Sequence, residues 1–128
     1  MKKLILFFLT AMLLTACGQA NPNSQEAVYM NITAQEATQI MDSEEGYIIL
    51  DVREQDEYDA GHIPGAILIP YTQIEEKVDE MLPDKDQMIL VYCRSGRRSK
   101  IAAEALVELG YTNIREFGGI IDWPYEVE

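Results

Sequence analysis

Met88-Ile89-Leu90-Val91-Tyr92-Cys93-Arg94-Ser95-Gly96-Arg97-Arg98-Ser99 decides both the fold and the chemistry. The unbroken apolar run before Cys93 reads as a strand buried on both faces, the kind that sits inside a parallel sheet. A loop follows and runs straight into a segment of helical periodicity. Strand, loop and helix start together aim backbone N–H groups and several guanidinium groups at one sulfur. That environment holds a thiol as a thiolate. A cysteine that only fills a core wants the opposite surroundings. The stretch therefore predicts a nucleophile at Cys93 that acts on an anionic substrate and, being already ionised, requires no general base.

Outward from this stretch, strand and helix signals alternate. Residues 28–32 are a short strand candidate. Thr33-Ala34-Gln35-Glu36 reads as a capping box opening a helix with Ala37, Ile40 and Met41 on one face. Tyr47-Ile48-Ile49-Leu50-Asp51-Val52 is a second buried strand, residues 54–60 an acidic helix stopped at Gly61, and residues 66–69 another strand. Ile74, Val78, Met81 and Leu82 recur at helical spacing before Pro83. After the Cys93 loop a helix runs to about Leu109, with Ile101, Ala102, Ala105, Leu106 and Leu109 as its core stripe and Gly110 as its stop. Residues 114–117 form the last strand, before Gly118-Gly119. This alternation predicts one α/β domain, residues 28–128, with a mostly parallel sheet covered on both faces.

The chain opens differently. Lys2 and Lys3 precede an apolar stretch from Leu4 to Leu14, the charged and hydrophobic parts of a secretory signal. Leu14-Thr15-Ala16-Cys17 resembles the lipobox of bacterial lipoproteins. The resemblance implies a signal peptide of residues 1–16, cleavage before Cys17, a diacylglyceryl thioether on its sulfur and a palmitate-type acyl group on the new N-terminus. Residues 17–27 are polar, include Asn21-Pro22-Asn23-Ser24, and read as a flexible tether. The expected location is the bacterial cell envelope, exported and lipid-anchored to a membrane.

Charge and cysteine count narrow the partners. The net charge is −12, and loss of Lys2 and Lys3 with the leader makes the remainder more acidic still. Such a surface argues against nucleic acid. Against it, Arg94, Arg97, Arg98 and Lys100 form a dense basic cluster at a helix start, where cations oppose the macrodipole and so point to an anion to be held. Of the two cysteines, Cys17 is assigned to lipid, which leaves Cys93 without a disulfide partner. One histidine and no cysteine cluster predict no metal site, and no cofactor is expected.

Taken in order, Asp51-Val52-Arg53, Glu57-Tyr58, Gly61-His62-Ile63-Pro64-Gly65-Ala66, the Cys93–Ser99 loop, and Gly118-Gly119 with Trp123 resemble a single-domain rhodanese. The resemblance implies a rhodanese-like α/β fold, a largely parallel five-stranded sheet with helices on both faces. It also implies a sulfurtransferase in which Cys93 carries sulfane sulfur as a persulfide, taken from a small anionic donor such as thiosulfate and passed to cyanide or a thiol. Arg94, Ser95, Gly96, Arg97 and Arg98 are the expected substrate-binding residues. Arg94 and Arg97 would grip donor oxygens, Arg98 would instead turn back to brace the loop, and Ser99 reads as a helix cap or a ligand. Asp51, Arg53 and His62 are expected in structural support, the first two as an ion pair and His62 in a turn. Trp123 reads as packing, and the acidic runs 54–59 and 75–80 as solvated helix faces.

Two other readings compete. Cysteine phosphatases also set a thiolate in an anion cradle, but their signature places His before the cysteine and Arg six positions after it. Those positions are Tyr92 and Ser99 here. A module that carries or senses sulfur without turnover would show the same loop.

Overall fold

The computed structural model describes residues 28–128, so the leader, the tether and Cys17 lie outside the described residues. The elements run β1 (Met30–Asn31), α1 (Ala34–Ser43), β2 (Ile48–Asp51), α2 (Gln55–Ala60), β3 (Ile67–Leu68), α3 (Ile74–Met81), β4 (Ile89–Cys93), α4 (Arg97–Glu108) and β5 (Ile114–Gly119). Short 3-10 turns lie at Tyr71–Gln73 and Ile120–Asp122. The sheet order is β1-β5-β4-β2-β3, and every neighbouring pair is parallel. The expected five-stranded α/β architecture is the observed one.

Period-2 alternation along the strands sorts the core into two layers. Ile89, Val91 and Cys93 of β4 and Leu50 of β2 face a cluster completed by Ile74 and Val78 of α3 and Ala102, Ala103 and Leu106 of α4. Leu90 and Tyr92, with Ile49, face the other side, where Ala37 of α1, Ile63 and Phe117 close the layer and Tyr58 of α2 packs on it. Full burial of an aliphatic side chain such as Leu90 or Val91 contributes about 1.5–3 kcal/mol.

Two helix stripes differ from expectation. Ile101 is 41% and Met81 43% exposed, while Ala103, outside the predicted stripe, is fully buried. In α4 the inward set is Ser99, Ala102, Ala103 and Leu106, a spacing of three and four that leaves Ile101 on the rim. At α1, Thr33 accepts the Glu36 N–H at 3.0 Å, which is one half of the predicted capping box. A reciprocal box forms instead at α2, between Glu54 and Glu57.

The topology decides where a site can form. From β2 the chain crosses outward to β3, and from β4 it crosses the opposite way to β5. The crevice beyond the carboxyl ends of β2 and β4 is thus a topological switch point, where open α/β sheets bind ligands. Asp51 ends β2 and Cys93 ends β4.

Candidate active site

Cys93 is 1% exposed, yet its sulfur lies among polar donors. The chain leaves β4, passes Arg94 and Ser95, and turns through Gly96 at φ +102°, a left-handed conformation that a side chain would strain. That turn brings the Gly96 N–H to 3.0 Å from Cys93 Sγ and starts α4 in the same step. Burial pushes the Cys93 thiol up. The N–H groups of Ser99, Gly96 and Ser95 pull it down, and the downward pull wins, so the thiol ionises below its ordinary range.

A second glycine makes the loop possible from the opposite side. Gly119 sits beside Cys93 in the β4–β5 ladder, where the register shifts between Val91 and Cys93. A Cβ on Gly119 would run into the backbone of Arg94 and Ser95. The Arg94 carbonyl, held this close, accepts the Ile121 N–H at 3.2 Å.

The basic cluster divides. The two terminal nitrogens of Arg98 donate to the two carboxylate oxygens of Glu57, at 2.6 and 2.8 Å, so Arg98 braces the loop. The hydrogen bond from Arg98 holds the Glu57 carboxyl down at about 2. Glu57 is therefore half-buried in an ion pair, a correction to the reading of residues 54–59 as a wholly solvated face. Arg94 and Arg97 are exposed, and among the described residues neither forms an ion pair or a side-chain hydrogen bond. Arg97 lies 6.0 Å over the ring of Tyr71. Arg94 lines a cavity of about 520 Å³ together with Glu57, Gly61, Ile120 and Trp123.

Behind the loop lies a buried polar network. Arg53 grips Asp51 through Nε, at 3.0 Å to each carboxylate oxygen, and through a terminal nitrogen at 2.6 Å, which also donates to the Gly61 carbonyl at 2.7 Å. Tyr92 donates its phenol to Asp51 Oδ2 at 2.6 Å and accepts the Ile63 N–H at 3.1 Å. Burial and then the Asp51 bond push the Tyr92 phenol far above its ordinary range, so it stays a donor. The expected Asp51–Arg53 pair is present, and Tyr92, read only as an apolar strand residue, joins it to β4.

His62 stands apart from the sulfur. Its Nδ1 lies 2.9 Å from the Tyr58 carbonyl, which requires the proton on Nδ1, and its ring stacks on Tyr58 at 3.8 Å. Its backbone exchanges hydrogen bonds with Glu128 at 2.9 and 2.8 Å, tying the turn to the chain beyond Trp123. Trp123 packs on Phe117 with ring centroids 5.6 Å apart.

Ser99 is not the helix cap, since Gly96 holds that position. Its buried hydroxyl lies 3.4 Å from Cys93 Sγ and 2.6 Å from Glu116 Oε1. Sequence reasoning passed over Glu116. Its signal was a charge at an inward period-2 position, two residues after Ile114 in β5.

Known proteins resemble this chain in sequence and fold. Thiosulfate sulfurtransferase PspE of Escherichia coli is 41% identical over 73 residues, 57% of this chain and 70% of that protein. The adenylyltransferase and sulfurtransferase UBA4 of Candida albicans is 30% identical over 121 residues, and the match spans 89% of this chain but 27% of that longer protein. A solved rhodanese-related protein of Thermoplasma volcanium superposes with a TM-score of 0.68 at 34% identity, covering 78% of this chain and 98% of the other. Residues 33–124 match the Rhodanese-like domain as a family. With its five parallel strands, its glycine-turned cysteine loop and that match over most of its length, the chain belongs to the rhodanese-like domain family.

Proposed function

We propose that the protein is a sulfurtransferase that moves sulfane sulfur from a small anionic donor such as thiosulfate to a thiophilic acceptor, a thiol or cyanide, through a persulfide on Cys93. The observation that carries this reading is the Gly96 N–H at 3.0 Å from a thiol whose ionisation is favoured by its loop. A thiolate there attacks the outer sulfur of thiosulfate. The Sγ–S bond forms, the donor S–S bond breaks, and sulfite leaves with the electron pair. The persulfide anion then rests among the loop N–H groups. Exposed Arg94 and Arg97 suit the donor's oxygens. The names of relatives such as PspE support the same chemistry.

A phosphatase would need an arginine over its substrate. Arg98 is engaged by Glu57, and the position that such a signature assigns to arginine holds Ser99. The reading also includes export and lipid anchoring through Cys17, supported by the sequence of residues 14–17.

The test uses the purified full chain, reduced and given thiosulfate, with the Cys93 peptide read by mass spectrometry. The peptide should gain the mass of one sulfur atom, and cyanide or a dithiol should remove it with thiocyanate or sulfide as product. Cys93→Ser should abolish the adduct while keeping the fold. Release of phosphate from a phosphate ester with no sulfur adduct would replace this reading with a phosphatase. An adduct without turnover on any acceptor would reduce it to a sulfur carrier.

A further inference from the structure

Glu116 is a carboxylate in the core. It stands on β5 with 3% of its surface exposed, and its Oε1 accepts the Ser99 hydroxyl at 2.6 Å and the Gly118 N–H at 2.8 Å. Ser99, itself fully buried, lies 3.4 Å from Cys93 Sγ. One hydroxyl therefore separates a buried carboxylate from the nucleophile.

No cation compensates it among the described residues. Of the cations at the start of α4, Arg98 is held by Glu57, Arg97 lies over Tyr71, and Lys100 is exposed with no ion pair to Glu116. In the sheet, Asn31 of β1 and Val91 of β4 stand opposite Glu116. The Tyr29 phenol, ahead of β1, feels the Glu116 charge together with that of Glu104 on α4. Helix α1 contributes Ala37 to the layer on the other face of the sheet. A buried carboxylate held by two hydrogen bonds and no cation is a costly arrangement, and stability does not explain it.

We propose that Glu116, acting through Ser99, is a positioning residue that disfavours the bare Cys93 thiolate relative to the Cys93 persulfide and so keeps the cysteine loaded with sulfur. This rests on the sulfurtransferase reading above.

The Ser99 hydroxyl has a single proton. With Glu116 at 2.6 Å and the sulfur at 3.4 Å, the proton goes to the carboxylate and Sγ faces an oxygen lone pair. A thiol can donate to that lone pair, and a thiolate cannot. The thiolate and the carboxylate also repel each other in a poorly screened interior. Glu116 works against the loop N–H groups. Loading changes this balance. When Sγ bonds to the transferred sulfur and sulfite leaves with the electron pair, Sγ becomes neutral. The negative charge moves one bond outward, away from Glu116. The carboxylate thus raises the energy of the empty form more than that of the loaded form.

Glu116→Gln keeps an oxygen for Ser99 and Gly118 and removes the charge; Glu116→Leu removes it with a different shape. In the full chain, two quantities are read on the Cys93 peptide by mass spectrometry. One is the pH profile of alkylation by iodoacetamide. The other is the ratio of persulfide to thiol after equilibration at a fixed thiosulfate-to-sulfite ratio, at a pH above both alkylation midpoints. The alkylation midpoint should fall by about one pH unit in both variants, a tenfold change in the ionisation constant. The persulfide-to-thiol ratio should fall by a similar factor.

Circular dichroism identifies a variant that has not folded. A purely structural Glu116 would lower the melting temperature and leave the midpoint of the folded protein where it was. Superposed profiles would overturn the proposal, as would a midpoint that rises, since Glu116 would then be assisting ionisation. If the wild-type chain takes up no sulfur, the sulfurtransferase reading falls and the loading bias with it, whereas the alkylation midpoints still report whether Glu116 acts on Cys93.

Discussion

Arg98 holds Glu57 by two parallel hydrogen bonds, at 2.6 and 2.8 Å, and so ties α2 to the first turn of α4, directly after the Cys93 loop. Bidentate geometry is the strongest form of a guanidinium–carboxylate contact. Glu57 also accepts the Glu54 N–H at 3.2 Å, so one carboxylate serves as both helix cap and anchor.

This pair makes stability depend on acid in one direction. The Glu57 carboxyl is held down from 4.5 to about 2 in the folded protein, chiefly by Arg98. A depressed carboxylate contributes stability that is complete above its unfolded value and is lost as pH falls through its folded value. The contribution should therefore be full above about pH 5 and fade towards pH 2. The side chains are 17% and 26% exposed, so screening keeps it near 1 kcal/mol. Urea midpoints measured from pH 6 to pH 2 should fall more steeply for the wild type than for Glu57→Gln, and the two curves should converge at the acid end. Parallel curves would remove Glu57 as the source.

Gly119→Ala tests the close approach that shapes the loop. Its φ of −132° is ordinary, so the backbone itself tolerates a side chain. The added methyl meets the Arg94 carbonyl and the Ser95 nitrogen, which are backbone atoms and cannot swing aside. Overpacking of this kind costs about 1–3 kcal/mol. The variant should lose that much in urea unfolding, and its Cys93 alkylation rate at neutral pH should drop as the loop donors leave the sulfur. A variant with wild-type alkylation would show that the loop does not depend on this contact.

The parts of the fold that were legible in the sequence are those where one physical signal dominates. The runs before Asp51 and Cys93 have no polar residue to give them a face, and burial on both sides of a parallel sheet is the consequence. Ile101 and Met81 were misassigned because a short helix allows more than one stripe at spacings of three and four, and only the opposing sheet chooses between them. The site was legible at its loop and hidden at its supports. Tyr92 looks apolar in the run Ile89–Cys93, although its phenol is what binds β4 to Asp51. Glu57 sits in a stretch of acidic residues that all look solvated, and its partner lies 41 positions away. Glu116 needs the knowledge that β5 lies against α4. Distant pairing is the information that periodicity does not carry.

Arg94 and Arg97 should separate binding from chemistry. Both are exposed and without an ion-pair partner among the described residues, so replacing either by Ala leaves no buried charge stranded and should change the melting temperature little. Charge-assisted hydrogen bonds to an oxyanion contribute about 1.5–3 kcal/mol each. Each variant should raise KM for thiosulfate by roughly ten- to a hundredfold, with little change when a neutral organic sulfur donor is used. Equal losses on neutral and anionic donors would count against oxyanion binding by these side chains.

The anchor is tested independently of the fold. Leu14-Thr15-Ala16-Cys17 gives the pattern of a lipidated cysteine after an apolar stretch with two leading lysines. Each buried methylene of an acyl chain adds about 0.8 kcal/mol to membrane binding, and one chain alone holds a protein only reversibly. Three chains on Cys17, two on sulfur and one on nitrogen, would make the attachment effectively permanent over an experiment. The expressed protein should sediment with membranes and incorporate labelled palmitate. Cys17→Ala should abolish the label. Sulfur transfer by Cys93 should survive, because Cys17 lies outside the residues 33–124 that match the rhodanese-like domain. Label that persists in the variant would show that acylation lies elsewhere in the chain. Loss of sulfur transfer along with the label, in a protein that remains folded, would show that the domain depends on its anchor for activity.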